Sequence, residues 1–263
     1  MSKILDALIK NDIKAVRMLI EKKPALLASV APKRSRYALM QPLQIAICLA
    51  YAKFVSSGYQ YLDLALVNFL LSAGADVNAA PQGPQEEKKN HWGAFIDAAF
   101  IASMSCRWNS EDEWQGYKEF SSAECADKGY LLIRRMLELG ADVNQRGDYG
   151  NTALSVVCYN ARDYLPEWDW QEHCPRRQQT HKLTPELRKD LLKLLCLLLS
   201  AGADVNAYEE DPWVSYMGKM YRSSELEKIW QGYKRCRGRS IAEDFGEGYM
   251  GELLREAHRL CRK

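Results

Sequence analysis

The chain lacks any long uninterrupted apolar run. A membrane-spanning helix needs roughly 18 such residues, and the longest nearly apolar stretch, Leu194 to Ala203, falls well short. It also lacks a surplus of charge: 36 Lys and Arg stand against 34 Asp and Glu, a formal net of +2. Without a basic excess, little drives binding to nucleic acid or to an anionic bilayer, so neither is expected as the main partner. Histidine is scarce, at four, and His91, His173, His181 and His258 fall in no nucleophile or zinc-protease pattern. His173, Cys174 and His181 come nearest to a metal cluster, but their spacing matches no common zinc site and they offer a single thiol. None of the eight cysteines forms a Cys-x-x-Cys pair. Reduced thiols used as small buried apolar groups are expected instead. Gly246-Glu247-Gly248 has neither the preceding strand nor the further glycines of a phosphate-binding loop. These absences argue against an enzyme, a metal site and a bound cofactor. Met1 to Lys10 carries charges through its apolar part and has no signal-peptide core, so a cytoplasmic location is expected.

What the chain does have is a repeated stop. Gly74-Ala75-Asp76-Val77-Asn78 recurs at Gly140 to Asn144 and at Gly202 to Asn206. Each copy follows a leucine-rich run: 64–71, 131–139 and 191–199. A glycine just past a helix suits the left-handed position that ends it, since it has no Cβ to clash. The Asp and Asn that follow tolerate turn conformations and bond their own backbone. Three identical stops after three similar helices constitute an internal repeat, which takes precedence over other fold signals.

After Asn144 comes Gln145-Arg146-Gly147-Asp148-Tyr149-Gly150-Asn151-Thr152-Ala153-Leu154. Together with the stop motif, this resembles the ankyrin repeat: a finger with Asp and Gly, a Thr-Pro-Leu-His-like helix start, then a second helix. Pro42-Leu43-Gln44-Ile45-Ala46 is another copy of the helix start. The resemblance covers most of residues 1 to 206 and fades beyond. It implies an all-α ankyrin-repeat solenoid of about five units, with long inserts between inner and outer helices. The units are an N-terminal cap at 1–33, repeats at 34–78, 79–144 and 145–206, and a degenerate C-terminal cap at 207–263.

Helical spacing of apolar residues predicts helices over 2–10 and 12–22, with Asp12 as an N-cap and Pro24 as a stop. Outer helices are expected at 63–72, 130–139 and 191–199, and inserts at about 107–127 and 162–185. The last outer helix has only Lys193 to break its apolar surface, so it must be covered on its outer side. The insert at 163–185 and the segment after Asn206 are the candidates. Six of seven tryptophans lie outside the repeat helices, two of them in the acidic and aromatic stretch Tyr164 to Glu172. Linkers are Gly/Ser-rich or simply charged, so these inserts are expected to pack on the protein or to bind. One of Trp168 and Trp170 is expected to pack on helix 191–199 and the other to be partly exposed.

The resemblance further implies that partners are bound through finger tips and the inner-helix surface of a concave groove. Carried over residue by residue, that surface holds Arg146, Asp148, Tyr149, Asn151, Tyr159 and Asn160 in the fourth unit, and Tyr37, with Ala38 and Met40, in the second. Tyr and Arg make strong anchors because they combine large area with directional bonds. The expected function is a non-catalytic protein-binding module, monomeric when unbound. The alternative is an inhibitor or immunity protein that blocks an enzyme's active site with its acidic-aromatic insert.

Overall fold

The computed structural model describes residues 2–80, 92–112, 116–147, 150–166, 168–169, 174–175, 181–207 and 240–261. They are mostly helical and all-α in class. Helix α1 (Ser2–Ile9) packs on α2 (Ile13–Lys22), burying Ile4 and Leu8 against Val16 and Ile20. Asp12 caps α2 by accepting from Ala15 N at 3.0 Å. The proline that follows opens a single 3-10 stretch, Pro24–Ala28. Then come α3 (Pro42–Ser56) with α4 (Ala65–Ser72), α5 (Ala94–Met104) with α6 (Ala123–Glu138), and α7 (Ala153–Tyr164) with α8 (Pro185–Ser200). A short α9 (Ile241–Asp244) and α10 (Gly248–Cys261) follow. Helix α5 packs between α3 and α7, and α8 between α6 and α10.

Two outer helices are longer than their leucines predict. Helix α6 begins seven residues before 130, because Ser122 caps it by accepting from Cys125 N at 3.2 Å. Helix α8 begins at Pro185, a favoured first-turn residue, with Thr184 accepting from Leu187 N at 3.2 Å. Both starts are polar on the outside, so an apolar pattern misses them.

The repeated stop has one geometry at all three sites. Gly74, Gly140 and Gly202 have φ of +84°, +88° and +90°. Asp76, Asp142 and Asp204 each accept, through Oδ1, from the backbone N–H two residues on, at 2.9 Å. The asparagine then reaches into the following unit. Asn78 donates to Gly140 O at 3.0 Å and accepts from Asp142 N at 2.7 Å. Asn144 does the same with Gly202 O and Asp204 N, at 3.0 and 2.8 Å. A Cβ at Gly140 would meet nothing within 4 Å, so a side chain there is opposed by backbone conformation alone. Gly140→Val is expected to cost roughly 1–2 kcal/mol or more. The same change at Gly116, a strand residue, should be milder; equal urea midpoints would contradict this account.

The segment after α5 ties one helix pair to the next. Strands β1 (Asn109–Asp112) and β2 (Gly116–Glu119) form an antiparallel hairpin. Trp108 leads into it with 1% of its surface exposed, its Nε1–H donating to Ser103 O at 2.8 Å. Arg107 grips Asp190 on α8 through two side-chain bonds of 2.7 Å and a backbone N–H bond of 3.2 Å. Asn109 pairs both ways with the backbone of Lys182, at 2.7 and 2.8 Å. Of the expected alternatives for inserts, the region 107–109 is packing.

Helix α8 is covered in part by α10, which belongs to the segment after Asn206. Leu191, Leu194, Leu195 and Leu198 are buried. Cys196 Sγ donates to Ala257 O at 3.8 Å, and Arg188 pairs with Glu256. A shallow groove of about 900 Å³, lined by Tyr130, Leu183, Leu192, Leu197 and Leu260, remains alongside. In the preceding insert, β3 (Trp168–Asp169) pairs with β4 (Cys174–Pro175). The side chain of Trp168 and all of Trp170 lie outside the described residues, as does the expectation about which of them packs.

Candidate functional site

Helices α3, α5 and α7 start from equivalent N-cap positions, Gln41, Gly93 and Thr152. Gln41 and Gln44 bond reciprocally, as do Thr152 and Ser155, which fixes the register of α3 and α7. Seven residues beyond each cap stand Cys48, Phe100 and Tyr159, all half-buried. They lie in one row across three successive helices, and aromatic rings crowd around them. Tyr51 meets Phe100 edge-on at 5.0 Å between centroids, and Trp92 meets it at 5.8 Å. Tyr159 meets Phe245 edge-on at 5.1 Å, with the Arg162 guanidinium 5.0 Å above Tyr159 and 5.5 Å above Phe245. Tyr51, Trp92 and Tyr164 are half-buried too. Burial pushes the Tyr51 and Tyr164 hydroxyls above the usual phenol range, so both stay protonated.

Four residues beyond the caps, the row reads Ile45, Asp97, Val156. The aliphatic two are 0% and 3% exposed, so this position belongs to the core. Asp97 keeps some surface as a residue, yet its Oδ2 is inaccessible and has no hydrogen-bond partner. Burial pushes its carboxyl well above the usual carboxylate range. A buried carboxyl without a partner is costly, and nothing in the packing requires one here. Cys48 lies close enough to sense it. Burial first, and then the Asp97 charge, push that thiol up to about 12, while the nearby Arg36 opposes the shift. Cys48 is therefore a protonated thiol at neutral pH and no activated nucleophile.

The residues expected on the binding surface divide. Tyr159 is in the row. Asn160 is half-buried, and its amide donates to Ser103 Oγ at 2.7 Å, joining α7 to α5. Arg146 is exposed on the finger, and Asn151 is half-buried with its C=O accepting from Gly147 N at 2.8 Å. Tyr37 is a correction: it is 7% exposed, and Ala38 and Met40 are buried beside it. The backbone bonds Ala31 N to Met40 O and Leu39 N to Ala31 O fold this stretch of turns inward. The exposed part of that finger is Lys33, Arg34 and Arg36, the last with its guanidinium 5.5 Å over the Tyr37 ring. Asp148 and Tyr149 lie outside the described residues.

Tyr51, Trp92, Asp97, Phe100 and Arg162 were not foreseen. The signal that finds them is register, counted from each N-cap rather than from the repeat motif. Among the described residues, no group of three His, Cys, Asp or Glu is placed to hold a metal, and no helix is long and apolar enough to cross a membrane. A scan against protein-family models finds no match, and a search of curated proteins finds none.

Proposed function

We propose that the chain is an ankyrin-like array of about five units that binds a partner protein on the inner-helix surface, without catalysis. The observation that carries this reading is the set of half-buried rings in and around that row: Tyr51, Trp92, Phe100 and Tyr159. Four large rings held half-open by edge-on and tilted contacts are already ordered, so a partner that covers them gains apolar area at small entropic cost. Edge-on aromatic pairs contribute about 0.5–1.5 kcal/mol beyond their area, which is enough to hold the rings in place before a partner arrives. The three identical stops and the successive helix pairs are the features that favour the ankyrin-like reading of the architecture.

The test is capture of partners from the native cell by the tagged full chain, with cross-linking to locate the contact. The Tyr51→Ala/Phe100→Ala double variant should lose the captured partner at least tenfold while its helical circular dichroism is unchanged. Undiminished capture, or cross-links confined to the α6 and α8 side, would overturn the reading. An inhibitor role rests on the acidic and aromatic stretch 164–172, of which Trp168 and Asp169 pair in antiparallel fashion with Pro175 and Cys174. Stoichiometric inhibition of one captured enzyme would favour that alternative.

A further inference from the structure

We propose that Cys196 on α8 and Cys261 on α10 form a redox pair, which closes to a disulfide and fastens α10 to α8. Each sulfur lies against the backbone of the other residue's helix. Cys196 Sγ donates to Ala257 O at 3.8 Å, and Cys261 Sγ donates to Cys196 O at 3.4 Å. In an α-helix the carbonyl of residue 257 accepts from the N–H of residue 261, so a sulfur bonded to it is beside the Cys261 backbone. The two thiols also hydrogen-bond to each other. Ala257 is small and fully buried, which lets α10 come this close to α8. The Arg188–Glu256 ion pair holds the same two helices together further along, so the approach of the sulfurs does not rest on their own bonds alone. Both thiols are free and half-buried. Cys106, Cys125 and Cys158, by contrast, are at most 3% exposed.

The oxidant is a small-molecule disulfide such as oxidised glutathione. Cys261, its proton given up to water, attacks one sulfur of that disulfide, and one glutathione leaves and takes up a proton. Cys196 then loses its proton and attacks the Cys261 sulfur of the mixed disulfide, which expels the second glutathione as a thiol. Two protein thiols are oxidised by two electrons, and one glutathione disulfide is reduced to two thiols. Burial first, then the hydrogen bond and charge of Cys261, with Glu256 last, push the Cys196 thiol up to about 11. Cys196 therefore stays protonated while Cys261 is free, which makes it the second thiol to react. Capture of Cys261 removes both of that residue's contributions and releases Cys196 for its attack. Helix α10 packs on α8 and α7, and its attachment is noncovalent in the reduced state. The bond closes the loop from 196 to 261, and closing so long a loop restricts the unfolded chain strongly. Oxidation thus tightens this end of the fold, and reduction releases it.

The experiment equilibrates the folded full chain in glutathione buffers from reduced to oxidised, blocks free thiols by alkylation, and maps linked peptides by mass spectrometry. The expected result is a Cys196–Cys261 linked peptide that dithiothreitol removes. The oxidised chain should melt about 5–10 °C above the reduced one. Cys196→Ala and Cys261→Ala, with helical circular dichroism like the wild type's, should show no such rise. Should either variant fail to fold, the wild-type map and melting curves suffice as the test. Glutathione mixed disulfides on both residues without a linked peptide would overturn the inference. So would a linked peptide that forms only in urea, or an oxidised wild type that melts where the reduced one does. The same rise in Cys261→Ala would place the stabilising bond elsewhere and overturn it too. None of these outcomes bears on the protein-binding reading.

Discussion

Arg107→Ala is expected to destabilise the fold by about 3–5 kcal/mol, the cost of leaving a buried carboxylate without its partner. Asp190 is 8% exposed and takes three bonds from Arg107, two of them charge-assisted at 2.7 Å. Removing the guanidinium takes away both strong bonds and leaves only the backbone N–H. The damage should spread across a joint, since Arg107 follows α5 and Asp190 belongs to α8. A double variant, Arg107→Met with Asp190→Leu, should recover most of the loss, because well-packed apolar residues commonly replace a buried pair without cost. Urea denaturation of the three chains provides the measurement. A loss below about 1 kcal/mol for Arg107→Ala would show the pair to be screened by solvent and the clamp to be ornamental.

Asp97→Val is expected to act in the opposite sense, raising stability by about 1–3 kcal/mol at neutral pH by removing a desolvated group with no partner. The gain should depend on pH. An unfolded aspartate titrates near 3.9, whereas burial raises the folded carboxyl well above that. The folded state therefore binds the proton more tightly, and the wild type loses stability as pH rises from about 4 towards the folded value. Below about pH 4 both states are protonated and this contribution is constant. Valine has no proton to lose, so its advantage should be smallest near pH 4 and should widen towards neutral pH. Melting temperatures across pH 4 to 8 decide the matter, and a gap that stays constant or narrows would refute the account of the buried carboxyl.

Legibility followed the range of the forces involved. The joints could be read because glycine at positive φ and the Asp-x-Asn bonds are local, and their letters recur. Helix interiors could be read from leucine spacing. The start of α6 could not, since Ala123 to Gly129 offers a cap and polar turns where a leucine stripe was sought. Arg107 and Asp190 are far apart in sequence, and nothing in either neighbourhood marks them as partners. Tyr37 was placed on the surface by motif position, while the bonds between Ala31 and Leu39–Met40 turn it inward. Asp97 stands out in the sequence only as the one charged residue of the apolar stretch Phe95-Ile96-Asp97-Ala98-Ala99. Its burial became evident only once α3 and α7 were set on either side.

The asparagine bonds bear on how such a chain can change its length. Asn78 and Asn144 make the same two bonds to the same two positions of the next turn, although the spans between them and the following turns differ in length and content. The coupling piece is thus standardised, and the cargo between couplings is not. Insertions such as the β1–β2 hairpin sit between the helices of one pair and leave the turn-to-turn spacing untouched. Residues can therefore be added within a pair in any number, whereas the array itself grows or shrinks only by a whole pair with its own asparagine.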